Sequence, residues 1–244
     1  MSDKSRIEWT DASWNPVTGC TQVSPGCANC YAKALTERFN GPGSFDTVVL
    51  HPERLDTPLH WRKPRRIFVN SMSDLFHEDI PMDFLANIWE VMEKTPQHTY
   101  QILTKRAEIM RRRVGGTAGM AWAFDVLPNV WLGVSAENQR WFDQRWPILE
   151  ATPAALRFIS YEPALGPLLL GDARPGWVIC GAESGPKRRP FNLAWARELR
   201  DECWAAGVPF FMKQGSAFRP GQPSGDPELD ECKSFPTLKA QEEG

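Results

Sequence analysis

No stretch of the 244-residue chain approaches the roughly 18 apolar residues that a membrane helix needs, so no membrane-spanning segment is expected. The first fourteen residues, Met1 to Trp14, lack the apolar core of a secretory leader, which points to a cytoplasmic setting. Neither sign of charge dominates. The 28 Lys and Arg against 30 Asp and Glu leave a formal net charge of -2. That balance excludes a strongly basic domain built for tight nonspecific DNA binding. Residue-level repeats are missing, and 42% hydrophobic with 24% charged residues excludes a collagen-like or wholly disordered chain. Six cysteines are too few for a disulfide scaffold at this length, and a reducing compartment would not maintain one.

What the sequence does contain is a series of short apolar runs, each ending in polar residues. They begin with Trp14-Asn15-Pro16-Val17, Arg66-Ile67-Phe68-Val69-Asn70, Tyr100-Gln101-Ile102-Leu103-Thr104 and Val130-Trp131-Leu132-Gly133-Val134. Leu156-Arg157-Phe158-Ile159-Ser160, Trp177-Val178-Ile179-Cys180 and Val208-Pro209-Phe210-Phe211-Met212 follow. Their length, their β-branched and aromatic content and their flanking turn formers predict buried strands. Between them lie amphipathic helical patterns, over residues 82–94 and 192–206 above all, with Asn192 placed as an N-cap. Residues 31–39, 107–113 and 139–149 carry weaker helical patterns, while 163–176 is too rich in Gly and Pro for a helix. Alternating β and α elements imply a parallel sheet. Because nearly every strand end carries polar groups, the expected fold is α/β: a partial or irregular (β/α) barrel of six to seven parallel strands. A barrel gathers all C-terminal strand ends at one mouth, which an open doubly wound sheet does not. Residues 1–214 would form this domain and 215–244 a polar C-terminal tail or flap, with Cys232 an inert member of it.

The densest chemistry lies in Gly19-Cys20-Thr21-Gln22-Val23-Ser24-Pro25-Gly26-Cys27-Ala28-Asn29-Cys30-Tyr31. Cys20, Cys27 and Cys30 are spaced C-x6-C-x2-C, and such a loop can wrap a compact multinuclear centre. The count of donors matters most. A structural zinc site wants four ligands, and the next histidine is His51, well downstream. A 4Fe-4S cluster on three cysteines leaves one iron open, as binding and reductive cleavage of S-adenosylmethionine (SAM) requires. Two other readings stay open: unligated cysteines, or zinc completed by a distant ligand such as Cys180 or a histidine.

These residues carry a resemblance. Trp14 to Cys20, the cysteine run ending in Tyr31, Asn70-Ser71-Met72-Ser73-Asp74-Leu75-Phe76, Leu103-Thr104-Lys105-Arg106 and Trp131 to Ser135 belong to it. So do Ser160-Tyr161-Glu162-Pro163, Gly181-Ala182-Glu183-Ser184-Gly185 and Met212-Lys213-Gln214. Together they resemble the three-cysteine-motif family of phage and bacterial proteins, which is radical-SAM-like and more distantly similar to spore photoproduct lyase. The chain departs from the usual radical SAM spacing, C-x3-C-x2-C, by a longer first gap. Asn29 also stands where an aromatic residue usually precedes the third cysteine.

The resemblance implies a radical-SAM-like barrel holding a 4Fe-4S cluster and SAM. Fed by an external electron donor, such an enzyme cleaves SAM and abstracts hydrogen from a substrate, here of unknown identity. It further implies that Asn70, Ser71, Ser73 and Asp74, at the second strand end, meet the methionyl amine. Ser135 and Glu137 would then meet the ribose, Lys105 or Arg106 the methionyl carboxylate, and Gly181 the adenine or substrate. Tyr31, next to the third cysteine, joins the cofactor set. Glu162, Glu183, Lys213 and Gln214 would complete the ring toward the substrate. A three-cysteine-motif partner protein is also implied.

Basic clusters sort by end of the barrel. Residues 62–66 and 111–113 belong to the bottom, whereas Lys187, Arg188 and Arg189 follow a strand end and belong beside the mouth. With Lys105, Arg106 and Lys213 they suit a phosphate-bearing substrate, so a nucleobase, nucleotide or nucleic acid is the expected partner. Cys180 and Cys203 read as core residues. His77 reads as the histidine nearest the mouth, and His51, His60 and His98 as surface or loop residues. The rival function is a non-enzymatic module, stapled by zinc, that binds nucleic acid or protein.

Overall fold

The computed structural model describes residues 5–115 and 124–237; the last seven positions of the expected tail lie outside them. Seven parallel strands make one curled, open half-barrel sheet. They are β1 (Ala12–Trp14), β4 (Arg66–Val69), β5 (Thr99–Thr104), β6 (Val130–Ser135), β7 (Leu156–Tyr161), β8 (Trp177–Gly181) and β9 (Phe210–Gln214), hydrogen-bonded in that order. The two runs β2 (Val17–Thr18) and β3 (Val49–Leu50) form a separate antiparallel pair. Helix α1 (Tyr31–Asn40) follows β2, and α2 (Met82–Glu93), α3 (Ala107–Val114), α4 (Gln139–Glu150) and α5 (Leu193–Ala205) connect successive sheet strands. The link from β7 to β8 contains no helix, as its Gly and Pro content requires.

Side-chain alternation divides the sheet into two apolar faces. Ile67, Val69, Tyr100, Ile102, Leu132, Val134, Ile159, Tyr161, Val178 and Met212 face the helices. Residues of the opposite parity, Phe68, Trp131, Phe158, Trp177, Ile179 and Phe211, fill the concave side together with Trp9. Trp177 is the hub of this aromatic floor, with ring centroids 6.2 Å from Trp9, 6.1 Å from Trp131 and 6.1 Å from Phe211. The lumen is therefore packed with rings at its base, where Gln101 is buried among them and donates to Trp9 O at 3.2 Å.

The segment after β9 joins the sheet instead of hanging from it. Helix α6 (Pro227–Asp230) starts at Asp226, whose side chain accepts from the backbone N–H groups of Glu228 and Leu229. Cys232 then accepts from Met212 N through its carbonyl at 2.8 Å, and Ser234 N donates to Phe210 O at 3.1 Å. Lys233 thus pairs antiparallel to Phe211 along the open edge of β9. Phe235 stacks 5.4 Å from Trp177 and closes the floor. Cys232, expected to be inert in a tail, is buried, as are Cys180 and Cys203. His98 differs from the surface expectation: it lies in a loop but is buried beside Trp61 and Tyr100. Arg113, expected at the barrel bottom, donates to the carbonyls of His77 and Glu78 in the segment that leaves the C-terminal end of β4.

Candidate functional site

The three-cysteine loop runs from Gly19 to Cys30, between β2 and α1, and lies against the C-terminal ends of the sheet strands. Its entry is set by Gly19, whose φ of 86° is a left-handed conformation and whose added Cβ would sit 1.9 Å from Thr47 O. Gly19 N donates to Met72 O and Cys20 N to Phe45 O, which fixes the first thiol. Pro25 opens a single 3-10 turn, Pro25–Cys27, and Cys30 is the N-cap residue of α1. There the positive end of the helix dipole attracts negative charge.

Side chains from three strand ends and a backbone carbonyl from a fourth hold this loop and the start of α1. Beyond β4, Ser71 O accepts the Tyr31 hydroxyl at 2.5 Å. Beyond β5, Arg106 donates to Cys20 Sγ at 3.4 Å and to Thr21 Oγ1 at 2.8 Å. Beyond β6, Glu137 accepts the Ser24 hydroxyl with one oxygen and Arg145 Nη1, at 2.9 Å, with the other. Gly26 packs on that carboxylate so closely that an added Cβ would meet Glu137 Oε1 at 2.4 Å. Beyond β8, Glu183 binds Asn29 Nδ2 at 3.0 Å and is clamped by Arg189, which also donates to Pro25 O at 2.9 Å. Burial opposes the charge on Glu183, but the Arg189 hydrogen bonds prevail and hold its carboxyl below the usual range.

Several residues expected to meet a ligand are spent on one another. Asp74 Oδ1 accepts from Thr104 Oγ1 at 2.7 Å and Phe76 N at 3.0 Å. Its Oδ2 accepts from Lys105 N at 3.1 Å and Arg106 Nη1 at 3.5 Å. Gln214 bonds Ala182 O and Gly221 N, tying down the segment beyond β9. Lys187 holds Asn29 through its carbonyl, and Arg188 donates to Gly185 O.

Other groups are only partly satisfied or are held in single pairs. Asn70, at φ 60°, accepts from Val17 N, but its Nδ2 is buried without a partner, as is Ser73 Oγ. A buried polar atom left unpaired costs on the order of 1–3 kcal/mol, so a ligand or water is the natural complement. Ser71 Oγ donates to Asn15. Lys105 Nζ reaches Ser135 Oγ at 3.1 Å, and Lys213 pairs with Glu162 at 2.7 Å. Gly181 lies between those last two strands, where a Cβ would strike Glu162 Oε1 at 2.5 Å. Ser160 Oγ supports the same carboxylate at 3.4 Å.

The sequence gives Thr21, Ser24, Gly26, Glu78 and Arg145 no role of their own, and marks Asn29 only as a departure from the usual aromatic residue before the third cysteine. Arg145 did leave a trace, an arginine on the apolar stripe of α4 with Phe142, Trp146 and Leu149. The contacts of Ser24 and Asn29 span more than 100 residues and leave no local pattern.

The donor set can be weighed against a cluster. All three thiols are half-buried and free of disulfides, and Cys20 feels the charge of Cys27. Burial, reinforced by Asp74, pushes the Cys20 thiol up to about 11, while Arg106 pulls the other way. Among the described residues no three His, Cys, Asp or Glu converge tightly enough for one metal ion. His77 touches the loop but accepts from Asp79 N at Nδ1 and meets Thr21 Oγ1 at Nε2, so neither ring nitrogen is spare. The three unpaired thiols are soft donors of the kind that both zinc and iron–sulfur centres take.

No helix among the described residues is long and apolar enough to cross a membrane. No curated protein and no solved structure matches the chain. A family model described as "Protein of unknown function (DUF5131)" matches residues 4–237, and the chain belongs to that family.

Proposed function

We propose that this protein is a radical SAM enzyme whose Cys20, Cys27 and Cys30 hold a 4Fe-4S cluster. The observation that carries the reading is a loop of three free thiols held by Ser71, Arg106, Glu137 and Glu183 over the C-terminal rim of a parallel half-barrel. Held by Cys20, Cys27 and Cys30 and fed by an external electron donor, a cluster would supply the one-electron reducing power for cleavage of bound SAM. The chain's own residues bind, orient and exclude water. Ser73 Oγ and Asn70 Nδ2, both buried and unpaired, suit the polar methionyl end of SAM; Asp74, with its four hydrogen bonds, braces that strand end. Lys105 and Ser135 suit a carboxylate or ribose hydroxyls. The Glu162–Lys213 pair offers an acceptor and a donor side by side to a substrate, and exposed Lys187 and Arg188 suit its phosphates, which favours a nucleotide or nucleic acid. The packed aromatic floor keeps water from entering below.

Anaerobically reconstituted protein, given dithionite and SAM, should release 5′-deoxyadenosine and methionine, and Cys27→Ala should abolish release. Equal release by wild type and Cys27→Ala would refute the ligand assignment. A chain that binds one zinc and leaves SAM intact would favour a binding module instead.

A further inference from the structure

Arg106 follows β5, and its side chain is only 4% exposed. Every nitrogen of its guanidinium is used. Nε donates to Glu78 Oε2 at 3.1 Å, and Nη2 to Thr21 Oγ1 and Thr21 O at 2.8 and 3.1 Å. Nη1 is shared between Asp74 Oδ2 at 3.5 Å and Cys20 Sγ at 3.4 Å. The group is therefore unable to close on a substrate anion without giving up a buried contact. Asp74 is itself fixed by Thr104, Lys105 and Phe76, so the guanidinium is aimed at the sulfur by a rigid neighbour on one side and by Thr21 on the other. A fixed cation with an N–H directed at a ligating sulfur stabilises the more negative, reduced state of an iron–sulfur centre and raises its reduction potential.

We propose that Arg106 is a positioning residue for the metal centre: it orients Cys20 and, through the N–H to its sulfur, sets the reduction potential of the cluster. The inference rests on the three-cysteine reading above and gives Arg106 a role distinct from holding SAM or substrate.

The test compares wild type, Arg106→Lys and Arg106→Met as full-length chains, reconstituted without oxygen. Iron and sulfide per chain, circular dichroism and the midpoint potential from an EPR-monitored titration are read for each. With wild-type iron content, Arg106→Met should titrate at a more negative potential. Arg106→Lys, which keeps the charge but has no planar fork to reach Asp74, Thr21 and Cys20 together, should shift the same way by less. Should Arg106→Met fail to fold, the lysine variant decides alone. An unchanged potential in a folded, fully loaded Arg106→Lys or Arg106→Met chain would overturn the proposal. Wild-type protein that takes up no iron would overturn the cluster reading itself, and this inference with it.

Discussion

Glu137 shows how much of this molecule is decided by single buried charges. Its carboxylate is fully buried, yet it pairs with Arg145, accepts from Ser24 and lies against Gly26. Arg145 in turn donates to Ser135 O at 2.7 Å and stacks on Trp141. Removing one partner leaves the other charge buried and uncompensated. Glu137→Leu should therefore cost about 3–5 kcal/mol in urea unfolding, and Glu137→Leu/Arg145→Met together should cost less than the single change. Gly26→Ala carries less disruption of charge but drives a methyl into that carboxylate. It should lose on the order of 1–3 kcal/mol, of the size measured for overpacking, and lower the iron taken up on reconstitution. At this scale the sequence was informative about residue type and poor about partners. Cys20, Cys27 and Cys30 announce themselves by spacing. That Glu183 and Arg189 clamp the loop, rather than face a ligand, depends on Asn29 and Pro25, over 150 residues away.

Elements were more legible, because periodicity is local. The helices fall close to the expected spans, and Asn192 caps α5 by accepting from Ala194 N at 3.0 Å. Asn192→Ala should reduce stability by about 1 kcal/mol, measured as a shift in the urea midpoint at constant slope. The seven-strand parallel sheet follows from the β–α alternation, and its half-closed curl agrees with polar residues recurring at every strand end. The β2–β3 pair escaped notice, since two-residue strands carry no period to detect. Residues 215–244 have the composition of a tail or flap because Pro, Gly and acidic residues mask the few apolar anchors there, Leu229, Cys232 and Phe235. Phe235→Ala should remove a ring from the aromatic floor and lower stability by about 2–3 kcal/mol, less than a fully buried phenylalanine costs.

Over the whole molecule, two buried histidines couple stability to pH. Burial pulls His98 below its ordinary value of 6.5, and burial together with Arg106 does the same to His77. Both folded-state values are depressed, so the stabilisation is complete above about pH 6.5 and declines as the unfolded chain takes up protons below it. The melting temperature should fall between pH 7 and pH 5, and His98→Gln should flatten that fall; a profile unchanged by the substitution would remove His98 from the account. The same architecture places the three-cysteine loop at one end of the sheet. Aromatic packing fills the base, helices cover the outer face, and two of the unpaired buried polar atoms, Asn70 Nδ2 and Ser73 Oγ, follow the end of β4 on the side of the three thiols. The most direct test of that assignment is the metal content of wild-type protein after oxygen-free reconstitution and desalting. About four iron and four sulfide per chain are predicted, from the stoichiometry of one cube, with a broad visible absorption that dithionite bleaches. A colourless chain retaining a single zinc, or no metal, would contradict it.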